Sequence, residues 1–225
     1  MRKAITFGCL SIVALSAALI FATAQQGDIL LLEGKKYSIY TNPLEPYLSL
    51  NPGKLPKAEA YSTANWRGYV ATWQVKDNRL MLTDVGILHS VSNKNNEGDR
   101  STEMRSVIAE MFPGQKEVLA EWFSGHVIIP NGQLVNYVHM GYASIYEKYI
   151  LLRVEKGLVA RKWESDTEAF MKFRDAQFSA FKKTDEYKKA LAETNKEGGA
   201  SKQNEEFIRE FYSERYMSMI FGEAK

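Results

Sequence analysis

Two histidines and a tyrosine are the side chains whose types and spacing point most directly to chemistry. An Asn131-Gly132 pair between two strand-like segments predicts a two-residue hairpin turn. In that register His126, Tyr137 and His139 share one face, with the two histidines as diagonal neighbours about 7 Å apart. Such a pair could hold one ion, or one histidine could act as a general base beside Tyr137. The pattern therefore predicts a candidate catalytic or metal site on this hairpin.

Two histidines do not complete a metal site. Zinc takes three or four protein ligands, so Glu121 or a residue from the proline-rich segment upstream would have to join His126 and His139. The alternative is a half-buried polar ladder whose side chains satisfy one another's hydrogen bonds. These three residues are thus candidates only, and the sequence implies no cofactor.

A second candidate site begins at Trp66 and Arg67, directly before a strand-like segment. Arginine stacks on aromatic rings and binds carboxylates with two parallel hydrogen bonds, so the pair could form a ligand platform. Together with Tyr69 and Tyr142 it would bind a small ligand, a glycan or a protein partner. The alternative is that Trp66 lies in the core and Arg67 pairs with a neighbouring acid, because burial of an indole is favourable.

Several well-known catalytic signatures are absent from the sequence. It contains no glycine-rich phosphate loop, no G-x-S-x-G and no H-E-x-x-H. The single cysteine, Cys9, falls in the N-terminal segment described next. Carboxylate-pair hydrolysis stays open, because sequence alone cannot bring two distant acids together. These observations favour a binding function and leave open whether the chain is an enzyme.

The first 24 residues have the layout of a secretory signal. A basic start at Met1–Lys3 precedes the apolar run Ala4–Phe21 and the small-residue site Ala22-Thr23-Ala24. We expect cleavage before Gln25, and an uncleaved membrane anchor is the alternative. The sequence thus predicts an exported protein, periplasmic or secreted, with no membrane contact after cleavage.

Charge argues against a nucleic-acid partner. The chain has 29 basic and 27 acidic residues, and the predicted cleavage removes Arg2 and Lys3. The net formal charge of the remainder is then zero, so no overall positive field would attract a phosphate backbone. Removal of Cys9 would leave the chain with no cysteine and therefore no disulfide, so the hydrophobic core alone must stabilise the domain.

The clearest element is a hairpin within Trp66–Ile87. Gly68–Val75 alternates in hydrophobicity and is rich in β-branched and aromatic residues, and Asp77-Asn78 tolerates the left-handed backbone of a tight turn. A regular ladder from that turn pairs Trp73 with Leu82, Val70 with Val85 and Gly68 with Ile87. This hairpin is predicted to be central in the sheet, because both of its faces are partly apolar.

Shorter patterns surround this hairpin. Asp28–Tyr40 predicts an N-terminal hairpin, and Tyr146–Trp163 predicts another around Lys156-Gly157. Thr41–Asn65 holds four of the six prolines, which excludes a continuous strand or a long helix, so it either lines a site or covers a sheet face. Thr102–Met111 predicts a short amphipathic helix.

The C-terminal part reads as helical. Ser165-Asp166-Thr167-Glu168 has the form of a capping box with Ser165 as the cap, and an apolar stripe follows it. Asn195–Gln203 contains two adjacent glycines and predicts a linker, and Asn204–Ile220 predicts the last helix. These helices could pack on the sheet, or they could bind a partner in an interaction or inhibitor protein.

Together these elements predict an α+β fold. It consists of an antiparallel, barrel-like or strongly bent β-meander with two to three C-terminal helices packed on it. The corresponding segments are a cleavable signal peptide (1–24), a β-rich core domain (25–163) and a helical segment (164–225).

Several strings resemble a group of uncharacterised exported bacterial proteins. They are Trp66–Trp73 followed by Asp77-Asn78, the upstream Thr41–Glu45, and the downstream Tyr137–Tyr142 and Ile145–Lys148. The resemblance spans roughly residues 29–163 and implies a bacterial source, but it implies no activity. Taken as a whole, the sequence predicts a bacterial envelope protein that binds a ligand or partner. The alternative is a hydrolase or metal-dependent enzyme that uses His126 and His139.

Overall fold

The computed structural model describes residues 24–92, 100–139, 141–196, 198 and 201–221. Apart from Ala24, the predicted signal segment lies outside the described residues. Within the described ranges the chain forms nine strands: β1 (Ile29–Leu32), β2 (Lys35–Ser38), β3 (Tyr69–Lys76), β4 (Arg79–Ser92), β5 (Arg100–Ser106), β6 (Val118–Leu119), β7 (Gly125–Asn136), β8 (Ile145–Glu155) and β9 (Leu158–Asp166). The same ranges contain six helices: α1 (Glu45–Leu50), α2 (Ile108–Met111), α3 (Thr167–Phe181), α4 (Asp185–Lys196), α5 (Ser201–Phe211) and α6 (Ser213–Ser218).

The strands form one mostly antiparallel sheet in the order β2-β1-β3-β4-β9-β8-β7, with β5 and β6 also paired to β4. The predicted α+β class is therefore confirmed, but the sheet is open, so the barrel-like description is too specific. A backbone hydrogen bond of 2.8 Å from Tyr40 N–H to the Ile128 carbonyl brings the two ends of the sheet near each other. Strand β2 has only four residues and offers too short an edge to close the sheet against β7.

The central hairpin forms as predicted near its turn and departs from the prediction further away. Asp77 and Asn78 have φ angles of 49° and 57°, as a tight hairpin turn requires, and Trp73 pairs with Leu82. A bulge between Thr72 and Trp73 then shifts the register by one residue. As a result Tyr69, and not Gly68, lies opposite Ile87.

The predicted turn at Asn131-Gly132 is wrong. Strand β7 continues through both residues and pairs with β8, with Ile129 opposite Ile150 and Asn131 opposite Lys148. Gly132 has a φ of +81°, but it occupies a register irregularity after Asn131 instead of reversing the chain. The long ladder, which buries the apolar start of β7, outweighs the local turn preference.

The predicted helix over Thr102–Met111 is also wrong in most of its length. Residues up to Ser106 belong to β5, which pairs with β4 from Gly86 opposite Ser106 to Ser92 opposite Arg100. Only Ile108–Met111 is helical. Strand β5 pairs with the edge of β4 opposite to β3, since Gly86 and Ile87 are paired on both sides, and this tertiary pairing overrides helix propensity.

Two hydrophobic cores lie on opposite sides of β7 and β8. Successive side chains of a strand point to opposite faces, so Val127 and Ile129 enter the first core with the central hairpin. Ile128 and Leu151 enter the second core, which the C-terminal helices cover. The helical segment is therefore packed on the sheet.

The helices differ in detail from the prediction. Ser165 is still in β9, and the cap of α3 is Asp166, whose side chain accepts a 2.8 Å hydrogen bond from Ala169 N–H. The expected last helix is divided at Tyr212 into α5 and α6, so four helices follow the sheet in the described residues. None of the described helices has the length and apolar character that a membrane span requires.

Candidate functional site

Asp28 is the anchor of the candidate site. It is fully buried and lies directly before β1, whose parallel pairing with β3 places it beside Ala71 and Trp73. Its Oδ1 accepts hydrogen bonds from Arg67 Nη1 at 3.0 Å and Ala71 N–H at 3.1 Å, and its Oδ2 accepts one from Trp73 Nε1 at 3.0 Å. A buried carboxylate is tolerated only when it is paired and hydrogen-bonded in this way.

Arg67 is the charged partner of Asp28. Its side chain is 2% exposed, and Nη2 donates a further 2.8 Å bond to the Gln26 carbonyl. Burial opposes the positive charge, but Asp28, through its charge and its hydrogen bond, and the nearby Tyr69 and Tyr142 together outweigh this effect, so the pKa of Arg67 is raised. Its Nε is buried with no hydrogen-bond partner in the described part of the chain. The arginine is thus fixed in position by its bonds to Asp28 and Gln26.

The two tyrosines predicted to bind a ligand lie beneath the surface. Tyr69 is 1% exposed and donates a 2.9 Å hydrogen bond to Glu45 Oε1, and the Arg67 guanidinium lies 4.8 Å from the centre of its ring. Tyr142 is 4% exposed and donates to Asn42 Oδ1 at 3.0 Å. Burial raises the pKa of both phenols, so both stay protonated donors at neutral pH. They position the proline-rich segment and do not themselves line a described cavity.

Above this network lies a cavity of about 280 Å³ that we call the Trp66 cavity. Its lining includes Trp66 and Arg67 before β3, Glu45 of α1, and Glu214 of α6. Trp66 is 60% exposed, so it does not lie in the core, contrary to one of the two sequence-based interpretations. Arg67 does pair with an acid, as the same interpretation predicted. A neighbouring cavity of about 340 Å³ shares Trp66 and Glu214, so the indole stands between the two spaces.

The Trp66 cavity has an excess of carboxylates. Each arginine in its lining already has an acidic partner: Arg67 has Asp28, and Arg215 Nη1 lies 2.6 Å from Glu186 Oε1. Glu45 and Glu214 add two further carboxyl groups. The lining is therefore rich in hydrogen-bond acceptors.

Glu214 differs from an ordinary surface glutamate. Burial raises its pKa to about 7, with a smaller contribution from Glu45, while Arg215 and Arg67 act in the opposite direction. A carboxyl with such a pKa can donate or accept a proton near neutral pH. This group belongs to a segment that sequence reasoning assigned to helix packing or to binding of a protein partner.

The structure places His126 and His139, the two histidines of the predicted catalytic or metal site, far apart. His126 lies near the start of β7, and at about 3.3 Å per residue the strand from there to Asn136 is on the order of 30 Å long. His139 lies three residues beyond that end, so the two histidines do not face a common ion. His139 is exposed, and its ring lies 4.5 Å from that of the exposed Tyr137.

His126 and Glu121 have other surroundings. The ring of His126 is 9% exposed and contacts Trp163 and Phe173 edge-on, and its Nδ1 donates to the Met219 carbonyl at 3.1 Å. Burial lowers its pKa, so the ring is neutral at pH 7. Glu121 is exposed in the turn before β7. Among the described residues, no group of three acidic, histidine or cysteine side chains is arranged to hold a metal ion.

Sequence reasoning identified Trp66 and Arg67 but missed the acids around them. Glu45 appeared only as the end of the Thr41–Glu45 string, and Glu186 and Glu214 carried no local signal. Comparison of the chain with family models, curated proteins and solved structures found no match, so the resemblance to a bacterial group stays a prediction.

Proposed function

We propose that the chain is an exported protein of the bacterial envelope that binds a small polar ligand, with a glycan as the best chemical fit, in the Trp66 cavity. One observation carries the proposal: an indole that is 60% exposed stands at a cavity whose other walls are fixed by a buried hydrogen-bond network. An exposed indole forgoes the favourable burial of a large apolar surface, which a stacked ligand would restore.

The lining suits a sugar better than an apolar molecule. A sugar has a flat C–H face that can cover Trp66 and hydroxyl groups that both donate and accept hydrogen bonds. The carboxyl groups of Glu45 and Glu214 can accept hydrogen bonds from hydroxyls. A volume of about 280 Å³ is near the lower end of ligand cavities, roughly 300–1,000 Å³, and suits one or two sugar units.

The arrangement of the walls supports binding without large rearrangement. Arg67 is tied to Asp28 and Gln26, and Glu45 is tied to Tyr69, so the polar groups are positioned before a ligand arrives. Such preorganisation lowers the entropy lost on binding.

One observation favours a second candidate function at the same place. Glu214, with a pKa of about 7, shares the cavity with Glu45, and two carboxyl groups at one site are the equipment of a glycoside hydrolase. In that case Glu214 would protonate the leaving oxygen. The earlier hydrolase hypothesis on His126 and His139 lacks the shared face that it required.

A glycan array followed by calorimetry on the best ligand tests the proposal. We expect Trp66→Ala to weaken binding about tenfold, since stacking on an aromatic ring contributes about 0.5–1.5 kcal/mol in addition to the burial of apolar surface. Tyr61→Ala is the matched control, because Tyr61 is 84% exposed and lies outside the described cavities. Equal binding by the wild type and Trp66→Ala would refute the site. Release of reducing sugar that disappears in Glu214→Gln would favour the hydrolase.

A further inference from the structure

Three neighbouring strands place basic side chains in one row. In the sheet His126 of β7 lies directly opposite Arg153 of β8, and Arg153 lies directly opposite Arg161 of β9. Residues paired in this way point to the same face of a sheet. Two arginines directly opposite each other repel, which destabilises the ladder.

The row forms the floor of another cavity, which we call the basic cavity. It has a volume of about 590 Å³ and lies between the sheet and α3. Lys183, just after α3, adds a third cation at its rim. No aspartate or glutamate belongs to its lining in the described part of the chain. The Trp66 cavity, by contrast, is rich in carboxylates.

The described residues neutralise the cations of the basic cavity only in part. Arg153 Nε lies 3.0 Å from Glu155 Oε1, so this arginine has an acidic partner. Arg161 lies 5.0 Å from the centre of the Trp163 ring, and within the described ranges neither it nor Lys183 forms an ion pair with a carboxylate. Two positive charges therefore face the cavity without a negative counterpart from these residues.

The remaining walls are largely apolar. Trp163, Phe173 and Phe221 contribute rings, and Ala176 and Ala180 of α3 add small side chains. A wholly inorganic anion would leave these walls without a contact, and an apolar ligand would leave the cations without a counter-charge. A ligand with one acidic group and an apolar body satisfies both.

We propose that the basic cavity binds a small amphipathic anion, whose carboxylate, sulfonate or phosphate group lies at Arg161 and Lys183 and whose apolar body packs against Trp163, Phe173 and Phe221. The row across β7, β8 and β9 positions the anionic end, and α3 covers the apolar end. The site is independent of the Trp66 cavity, so either proposal can fail without the other.

Two fluorescent probes that differ by one sulfonate test this site. 8-Anilinonaphthalene-1-sulfonate carries the acidic group, and N-phenyl-1-naphthylamine has the same rings without it. We expect saturable one-to-one binding of the sulfonate, and at least about tenfold weaker binding of the neutral probe, as the loss of a charge-assisted contact implies. Raising the salt concentration should reduce the difference in affinity between the two probes, because salt screens the charged contact.

Arg161→Gln combined with Lys183→Gln should weaken binding of the sulfonate at least about tenfold, while the neutral probe is unaffected. Lys172→Gln is the matched control, because Lys172 is on α3, its side chain is 76% exposed, and it does not line the cavity. Trp66→Ala should leave binding of the sulfonate unchanged. Equal affinity of the wild type and the double variant for the sulfonate would overturn the proposal.

A displacement experiment on the wild-type protein tests the proposed anion site even if the double variant does not fold. Decanoate and decanol have the same number of carbon atoms, but only decanoate carries a charged group. Displacement of the bound sulfonate probe by decanoate, with decanol at least about tenfold weaker, supports the amphipathic anion. Equal displacement by both would show a purely apolar cavity and would refute the role of the cations.

Discussion

Replacing Asp28 by Asn is the sharpest test of the network beneath the Trp66 cavity. Asp28 is fully buried and accepts three hydrogen bonds, one of them from the guanidinium of Arg67, whose side chain is 2% exposed. Asparagine keeps the shape and one acceptor oxygen. It removes the negative charge, and its amide group would point toward Trp73 Nε1, so that two donors face each other.

The expected loss is large because a buried cation is left without its partner. Removing one member of a buried ion pair costs about 3–5 kcal/mol. Domains are commonly stable by only about 5–15 kcal/mol, so Asp28→Asn should remove a large part of the free energy of unfolding. A further change of Arg67 to Met should recover part of that loss, since it removes the unpaired charge.

Urea denaturation of the wild type and the variants, followed by tryptophan fluorescence, measures these differences. Asp175→Asn is the matched control, because Asp175 also pairs with an arginine, Arg209, but both side chains are substantially exposed. That control should cost no more than about 1 kcal/mol. If Asp28→Asn costs as little as Asp175→Asn, the buried pair does not hold the site together, and the argument for a preorganised cavity fails.

Three further predictions concern pH, backbone conformation and helix capping. The pKa of Glu214 is raised in the folded state to about 7. Its contribution to stability is therefore fully present below about pH 4.5 and is lost as the pH rises through about 7. In Glu214→Gln this part of the pH dependence of thermal unfolding should disappear. Gly157 has a φ of +80°, and an added Cβ would meet a backbone atom at 2.9 Å, so Gly157→Ala should cost roughly 1–3 kcal/mol in urea denaturation. Gly34→Ala, at a φ of +76° with open space, should cost less. Asp166→Ala should cost about 1 kcal/mol by the same assay, whereas Ser165→Ala should cost almost nothing, because the cap of α3 is Asp166.

Local patterns predicted the elements whose cause is local. The Asp77-Asn78 turn formed with its immediate register, because those two residue types tolerate a left-handed backbone. The hairpin around Lys156-Gly157 also formed, with φ angles of 47° and 80°, and here Gly157 is the residue that suits a left-handed backbone. The proline-rich segment contains only the six-residue helix α1, as four prolines require.

The errors occur where distant strands compete with a local signal. Asn131-Gly132 is a strong turn pair, yet it lies inside β7, because pairing with β8 extends past it. Thr102–Met111 has helical periodicity, yet β5 pairs with the free edge of β4. A pattern within ten residues contains no information about which partner strand is available.

The candidate site shows the same division. Its aromatic platform, Trp66, and its adjacent Arg67 were identifiable from residue type and position, and so was the α+β class. Tertiary structure decided three other features: Trp66 is exposed, Arg67 pairs with Asp28, and Glu45 and Glu214 share one cavity. These acids come from opposite ends of the chain, and burial and charge proximity, which set the pKa of Glu214, exist only after the helices have packed onto the sheet.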